Sequence, residues 1–243
     1  MEKIKKGVKV EILTTKEKKR VVGIVEDVGV KKEGKPLMVR LKTGEVGRIN
    51  KIIEEKRKTE IEELIKKGEN QRLEFKSEAL WSLNYNEKES KSYELRTYKQ
   101  KASKVIIAKS LSALMNSEGG ILVIGVKENK EISGYEIIGI EKDLEKLKEL
   151  KKDFSIDGYK RMIIDEIIRP FFHSKIYNKI NFFLEFKFEV FEGKTVCLIK
   201  VNSSNFPVFL SLEGREIFMI RTETQTRQIQ DKELVDYCMD KFK

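Results

Sequence analysis

Short runs of alternating apolar and polar residues fill the first fifty positions of the chain and are separated by glycine or by lysine-rich segments. This alternation predicts half-buried strands, and Thr43-Gly44 predicts a tight turn between the last two. The predicted strands cover residues 8–13, 20–28, 37–41 and 45–49. Because so small a sheet must close on itself to bury a core, we predict an all-β barrel over residues 1–54.

A helical period dominates after residue 55, where we place a second domain over residues 55–243. Thr59 with Glu62 predicts a capping box, and Gly68 predicts the end of that helix. The clearest helix covers residues 102–116, and Gly119 or Gly120 ends it. Two further helices are predicted near residues 144–150 and 159–167, the second capped by Asp157, and a last helix follows Asp231 as its cap. Strands are predicted at 121–126, 182–190, 195–201, 208–212 and 217–221. A turn is predicted at 128–130. The fold class is therefore α+β, with a small barrel ahead of a mixed domain.

Positive charge is in excess, with 50 Lys and Arg against 40 Asp and Glu and a formal net charge of +10. Such an excess favours nucleic acid as a partner, although a solvated Lys/Glu-rich surface has the same composition. Neither a run of about eighteen apolar residues nor a signal sequence is visible, so we expect no membrane partner. Two cysteines without paired spacing and a single histidine predict a reducing, cytoplasmic location and no zinc.

Carboxylates surround the start of the strand at residues 73–76, where Glu69 and Glu74 lie five positions apart. Glu128 follows the apolar strand at 121–126, which we expect to lie beside the first strand. Three converging carboxylates repel one another unless they bind a cation, so Glu69, Glu74 and Glu128 are candidate ligands for Mg²⁺ or Mn²⁺. Lys76, on the same face as Glu74, is then placed to neutralise charge on a phosphate. The alternative is a solvated Glu69, a Glu74–Lys76 salt bridge and an ordinary turn residue at 128.

Cations and aromatic residues alternate between residues 77 and 101, a pattern that suits stacking on unpaired bases but also fits a loop packed on the core. The candidate nucleic-acid contacts are Lys99, Lys101, Lys104, Arg221 and Arg227. The predicted barrel loops also contain lysines that are either further nucleic-acid contacts or solvated residues. Among them are Lys16, Lys19, Lys31, Lys32 and Lys35. Gly193-Lys194-Thr195 is not a phosphate loop, because Phe188 stands where that motif needs glycine, and we expect no ATP.

Two resemblances follow from these residues. Residues 7–10, 23–28 and 39–49 resemble the YwbE-like family, whose function is not established. Four segments resemble the Schlafen/AlbA-type domain, which is often labelled a DNA-binding domain: Glu69…Leu73-Glu74-Phe75-Lys76, Asn116–Val126, and the strands near residues 196–201 and 218–227. Animal Schlafen proteins cleave tRNA and rRNA with three carboxylates and a divalent metal. Glu69 and Glu74 match the first two of these acids, and Lys127-Glu128 stands where the third is an aspartate.

The second resemblance implies a metal-dependent endoribonuclease that acts on structured RNA rather than on DNA. It also implies a homodimer, since only one of the two lobes of the animal proteins is present. A non-catalytic nucleic-acid-binding module of the same fold is the alternative, and a protein-interaction domain with structural acids is a third.

Overall fold

A computed structural model gives the fold of the chain and describes residue 4 and residues 6–29, 37–53, 59–84, 92–129, 131 and 133–243. Contacts within the chain divide it into two compact units, Met1–Lys58 and Thr59–Lys243. Lys31, Lys32 and Lys35 of the predicted barrel loops lie outside the described residues. Among the helices of the described residues, none is both long and apolar enough to cross a membrane.

The first unit is a closed barrel of four antiparallel strands, as predicted. Its strands are β1 (Lys9–Thr14), β2 (Arg20–Val28), β3 (Met38–Leu41) and β4 (Val46–Ile52). Pairing of β1 with β4 closes the sheet, and alternate side chains fill its interior: Val10, Ile12, Val25, Val39 and Leu41. The predicted turn between β3 and β4 is present, with Gly44 at a φ of 96° and its N–H donating to the Leu41 carbonyl at 2.9 Å.

The second unit mixes helices and strands, so the predicted α+β class is confirmed. Its first half contains α1 (Glu60–Lys67), β5 (Leu73–Lys76), α2 (Tyr93–Tyr98), α3 (Ala102–Asn116), β6 (Gly120–Ile124), β7 (Val126–Asn129) and β8 (Gly134–Ile137), with 3₁₀ turns at Trp81–Asn84 and Lys99–Lys101. Its second half contains α4 (Glu141–Glu149), α5 (Ile156–Ile163), a π-helical turn at Ile164–Ile168, α6 (Arg169–Phe171), α7 (Ser174–Tyr177), α8 (Ile180–Phe183), β9 (Leu184–Phe191), β10 (Lys194–Val201), β11 (Phe209–Leu212), β12 (Arg215–Thr222), β13 (Gln225–Ile229) and α9 (Asp231–Lys241).

Helix α3 is the central element of this unit, and it has the predicted bounds. Twelve of its fifteen residues are buried, which is the pattern of a helix that is covered on nearly all sides. It contacts β12 of the sheet β11-β12-β13 and β6 of the sheet β5-β6-β10-β9. In the second sheet β5 runs parallel to β6, and the other neighbours are antiparallel. Residues on β5 and β12 therefore lie near the same helix.

Three predicted details of this unit are wrong. The strand predicted over residues 121–126 breaks at Gly125, whose φ of 104° turns the chain out of the sheet, so Glu128 lies in strand β7 rather than in a turn. Ser155, not Asp157, caps α5, because its hydroxyl accepts the Gly158 N–H at 3.0 Å. Gln230 is the cap of α9, and Asp231 is its first residue.

Candidate functional site

Glu69 lies directly after the glycine that ends α1. Gly68 has a φ of 65°, and the Thr59 N–H donates to Glu62 Oε2 at 2.9 Å at the other end of that helix, as the sequence predicts. The Glu69 N–H donates to Tyr135 Oη at 3.1 Å, and Glu69 Oε1 accepts the Phe75 N–H at 2.8 Å. The Glu69 carboxylate is therefore held against the backbone of β5.

Glu74 is an almost fully buried carboxylate in the middle of β5, only 5% exposed. It forms ion pairs with Lys76 and with Arg221, and Ser110 of α3 donates to Glu74 Oε1 at 3.5 Å. Two cations and a hydroxyl thus surround this acid, which satisfies the rule that a buried charge must be paired.

Arg221 of β12 is the main partner of Glu74, and its side chain is 0% exposed. Its Nη2 donates to the Asn70 carbonyl at 2.8 Å, and its Nη1 donates to Thr226 Oγ1 at 3.1 Å. Its backbone N–H donates to Ser117 Oγ at 3.0 Å. Arg221 therefore joins β12 to β5 and to the end of α3, and in this arrangement it offers no side-chain surface to a phosphate.

Glu128 is exposed on the two-stranded sheet β7-β8, directly opposite Tyr135, whose hydroxyl accepts the Glu69 N–H. Glu69, Glu74 and Lys76 lie together at β5, whereas Glu128 lies on a different strand, β7. Among the residues that the structure describes, no three His, Cys, Asp or Glu side chains form a group able to hold a metal ion. Since Lys76 and Arg221 already occupy the Glu74 carboxylate, the arrangement does not fit a three-carboxylate site for Mg²⁺ or Mn²⁺.

Tyr135 is the contact of this cluster that the sequence analysis missed. Its hydroxyl accepts the Glu69 N–H, and its ring packs edge-on against Phe75 with ring centroids 4.6 Å apart. Tyr135 lies on β8. The Gly125 N–H donates to the Lys76 carbonyl at 2.9 Å, and this hydrogen bond holds the start of the β7-β8 pair beside the end of β5. No spacing in the sequence connects Tyr135 to Glu69, because the contact depends on the break at Gly125.

The pKa of Glu69 is raised above its ordinary value of 4.5 because the side chain is desolvated by burial, and the nearby charge of Glu74 raises it further. The hydrogen bond from Phe75 and the charges of Lys76 and Arg221 oppose this rise.

We expect the raised pKa of Glu69 to make the stability of the fold depend on pH. A carboxyl group with a raised pKa binds its proton more tightly in the folded state, so its contribution to stability falls as pH rises from the unfolded pKa through the folded pKa. Urea unfolding of the parent and of Glu69→Gln between roughly pH 4 and 7 should show that the variant lacks this fall. Glu128→Gln, at an exposed position, should keep the profile of the parent; a Glu69→Gln profile equal to that of the parent would contradict the assignment.

The predicted nucleic-acid contacts differ in their availability. Lys104 is bound to Glu166 at 2.6 Å with only 14% of its side chain exposed, and Arg227 forms an ion pair with Glu233 at the surface. Lys99 and Lys101 are both exposed in the 3₁₀ turn between α2 and α3. Both lysines therefore lie at the surface beside α2.

An exposed aromatic ring lies on the same segment. Tyr93, the first residue of α2, is 61% exposed, and Arg96 is exposed one helical turn later. Tyr98 differs, because it is half-buried under the Lys109 ammonium, 5.4 Å from the ring centroid. Tyr85, Lys88 and Lys91, which belong to the same predicted pattern, lie outside the described residues.

One comparison with known proteins identifies the family of this chain. The family model described as Schlafen, AlbA_2 matches residues 69–230, and the chain belongs to this family. Membership supports a nucleic-acid-binding role and confirms the resemblance found in the sequence. A search of the curated proteins finds no match. Among solved structures, the DIP2311 protein from Corynebacterium diphtheriae is similar at 15% identity and a TM-score of 0.41, over 70% of this chain and 27% of that chain, which is too distant to inform function.

Proposed function

We propose that the second unit binds RNA at unpaired nucleotides through an α2 surface composed of Tyr93, Arg96, Lys99 and Lys101. The observation that carries this proposal is the exposure of the Tyr93 ring beside exposed cations. Tyr93 and Arg96 are three residues apart on a helix, so their side chains are neighbours on one face. Lys99 and Lys101 continue the positive charge past the end of that helix.

The chemistry of this surface suits a single strand or a loop better than a duplex. An aromatic face stacks on a base only where the base is unpaired, while Arg and Lys bind the backbone phosphates on either side. Structured RNAs such as tRNA or rRNA offer unpaired bases in loops, whereas duplex DNA buries its base faces. The net charge of +10 favours association with both RNA and duplex DNA. The preference for unpaired RNA therefore comes from the Tyr93 ring.

Replacing Tyr93 by alanine should weaken the binding of fluorescently labelled tRNA roughly tenfold to a hundredfold, since stacking contributes about 1–3 kcal/mol per base. Tyr93→Phe keeps the ring and should bind like the parent. Fluorescence anisotropy at several salt concentrations measures both affinities. Lys101→Ala should lower the slope of log affinity against log salt by about 0.7–0.9, whereas Lys232→Ala, at an exposed position on α9, should leave it unchanged.

Equal affinity of Tyr93→Ala and the parent would contradict the α2 surface. Tighter binding of a labelled DNA duplex than of tRNA would contradict the preference for unpaired RNA. An affinity that does not fall with salt would favour the protein-interaction alternative instead.

The second candidate is a metal-dependent endoribonuclease, and the observation that favours it is the closeness of Glu69 and Glu74, whose charges interact. This activity requires Glu74 to leave Lys76 and Arg221 and to bind a metal ion together with Glu69 and Glu128. The test is incubation of tRNA with Mn²⁺ and either the parent or Glu128→Ala, a variant at an exposed position that should fold normally. Cleavage by the parent alone would establish the enzyme, and intact tRNA with both would leave the binding function.

The homodimer implied by the single lobe stays a prediction as well. Sedimentation equilibrium of the intact chain measures it directly, and a mass of one chain at all concentrations would contradict it.

A further inference from the structure

A cleft at one end of the barrel has no part in the function proposed for the second unit. It lies between the β1–β2 turn and the β3–β4 turn and has a volume of about 540 Å³. Small-molecule sites have volumes of roughly 300–1,000 Å³, so a single nucleotide would fit. Its polar lining consists of three threonines, two lysines and two glutamates: Thr14, Thr15, Thr43, Lys16, Lys19, Glu17 and Glu45.

Two ammonium groups at this cleft are available to an anion. Lys16 and Lys19 are both exposed, and the only ion pair recorded for either within the described residues joins Lys19 to Glu17 at 2.9 Å. Because the Lys19 and Glu17 side chains are 72% and 67% exposed, this pair contributes little and can be exchanged for a phosphate. The Thr14 hydroxyl accepts the Lys19 N–H at 3.1 Å and keeps its own proton to donate to an anion.

Glu45 gives the cleft a negative group with an unfilled acceptor. A hydrogen bond from the Thr43 hydroxyl lowers the pKa of Glu45, so the side chain is ionised at neutral pH. The Glu45 Oε2 oxygen is shielded from water and has no hydrogen-bond partner among the described residues. A buried acceptor without a donor is costly, and the half-buried Glu45 side chain that carries it lines the cleft.

We propose that this cleft binds a guanine nucleotide, with the base on Glu45 and the phosphate on Lys16 and Lys19. Guanine is the base with two adjacent N–H donors, N1–H and the N2 amino group, on the edge that a carboxylate can accept. The nucleotide is either free or part of a single strand, since the same groups recognise both. The site lies wholly in the first unit and does not depend on the α2 surface.

The test is a titration of the ¹⁵N-labelled full chain followed by two-dimensional NMR, with GMP, UMP, inorganic phosphate and the RNA trinucleotides UGU and UUU. Saturable shifts of amides in residues 14–19 and 43–46 are expected with GMP or UGU, and about tenfold weaker binding with UMP or UUU. Glu45→Gln should weaken GMP or UGU binding about tenfold, because its amide presents a donor to the donors of guanine. Lys16→Gln should weaken it as well, whereas Lys18→Gln, in the same turn but outside the cleft, should not.

Each outcome decides the proposal. Saturation by GMP supports a free nucleotide, and saturation by UGU without GMP supports a strand. Equal binding of GMP and UMP, equal shifts with inorganic phosphate, or no saturable shift with any ligand would each overturn it. Tyr93→Ala should keep the GMP response, so loss of tRNA binding and loss of this site are distinguishable.

Discussion

Arg221→Met should lower the free energy of unfolding of the second unit by about 3–5 kcal/mol, because it leaves the buried charge of Glu74 without its main partner. Methionine nearly matches the length of the arginine stem, so the loss reports mainly the missing charge and its hydrogen bonds to the Asn70 carbonyl and to Thr226. Urea unfolding followed by the fluorescence of Trp81, the only tryptophan in the chain, reports on this unit alone.

Arg227→Met is the matched control for that measurement. Arg227 also forms an ion pair with a glutamate, but both side chains are about half exposed, so its loss should cost less than about 1 kcal/mol. The double variant Glu74→Leu with Arg221→Met removes both charges and should be more stable than Arg221→Met alone. If Arg221→Met costs no more than Arg227→Met, the pair does not hold the two sheets together.

The Glu74–Arg221 pair supplies the positive charge that the sequence analysis expects from a metal ion. A divalent ion and a buried guanidinium solve the same problem, since each supplies positive charge to carboxylates that would otherwise repel one another. Here the guanidinium comes from β12, 147 positions further along the chain than Glu74, and Lys76 supplies a second positive charge. Glu74 is thereby neutralised within the protein itself.

The elements that follow from local patterns were predictable. The bounds of α3 follow from an apolar run at helical spacing that ends before two glycines, and the barrel strands follow from alternation. The end of β6 was missed because Gly125 sits within an apolar run that reads as one continuous strand. Only the backbone turn at Gly125 shows that the chain leaves the sheet there.

The residues of the candidate site were easier to predict from the sequence than their arrangement in space. Glu69, Glu74 and Lys76 are close in sequence and stay together in space, so their spacing carried the information. Glu128 lies beyond Gly125, and Arg221, which the sequence analysis predicts as a nucleic-acid contact, is buried. Its burial depends on the packing of β12 on α3, which no local pattern encodes.

Gly120→Ala should destabilise the second unit by about 2–5 kcal/mol, roughly 1–2 from the backbone conformation and 1–3 from overpacking. Gly120 has a φ of 145°, and a Cβ at this position would lie 2.2 Å from the carbonyl oxygen of Arg72. That oxygen accepts the Ile121 N–H at 2.8 Å, so the clash falls on the pairing of β5 with β6 and displaces the strand that carries Glu74. Gly214→Ala, at a φ of 74° but with no atom within 4 Å of its Cβ, isolates the backbone cost of about 1–2 kcal/mol. Equal unfolding midpoints of the two variants would show that β5 and β6 tolerate a side chain between them, and that this glycine is not required by the close approach of the two strands.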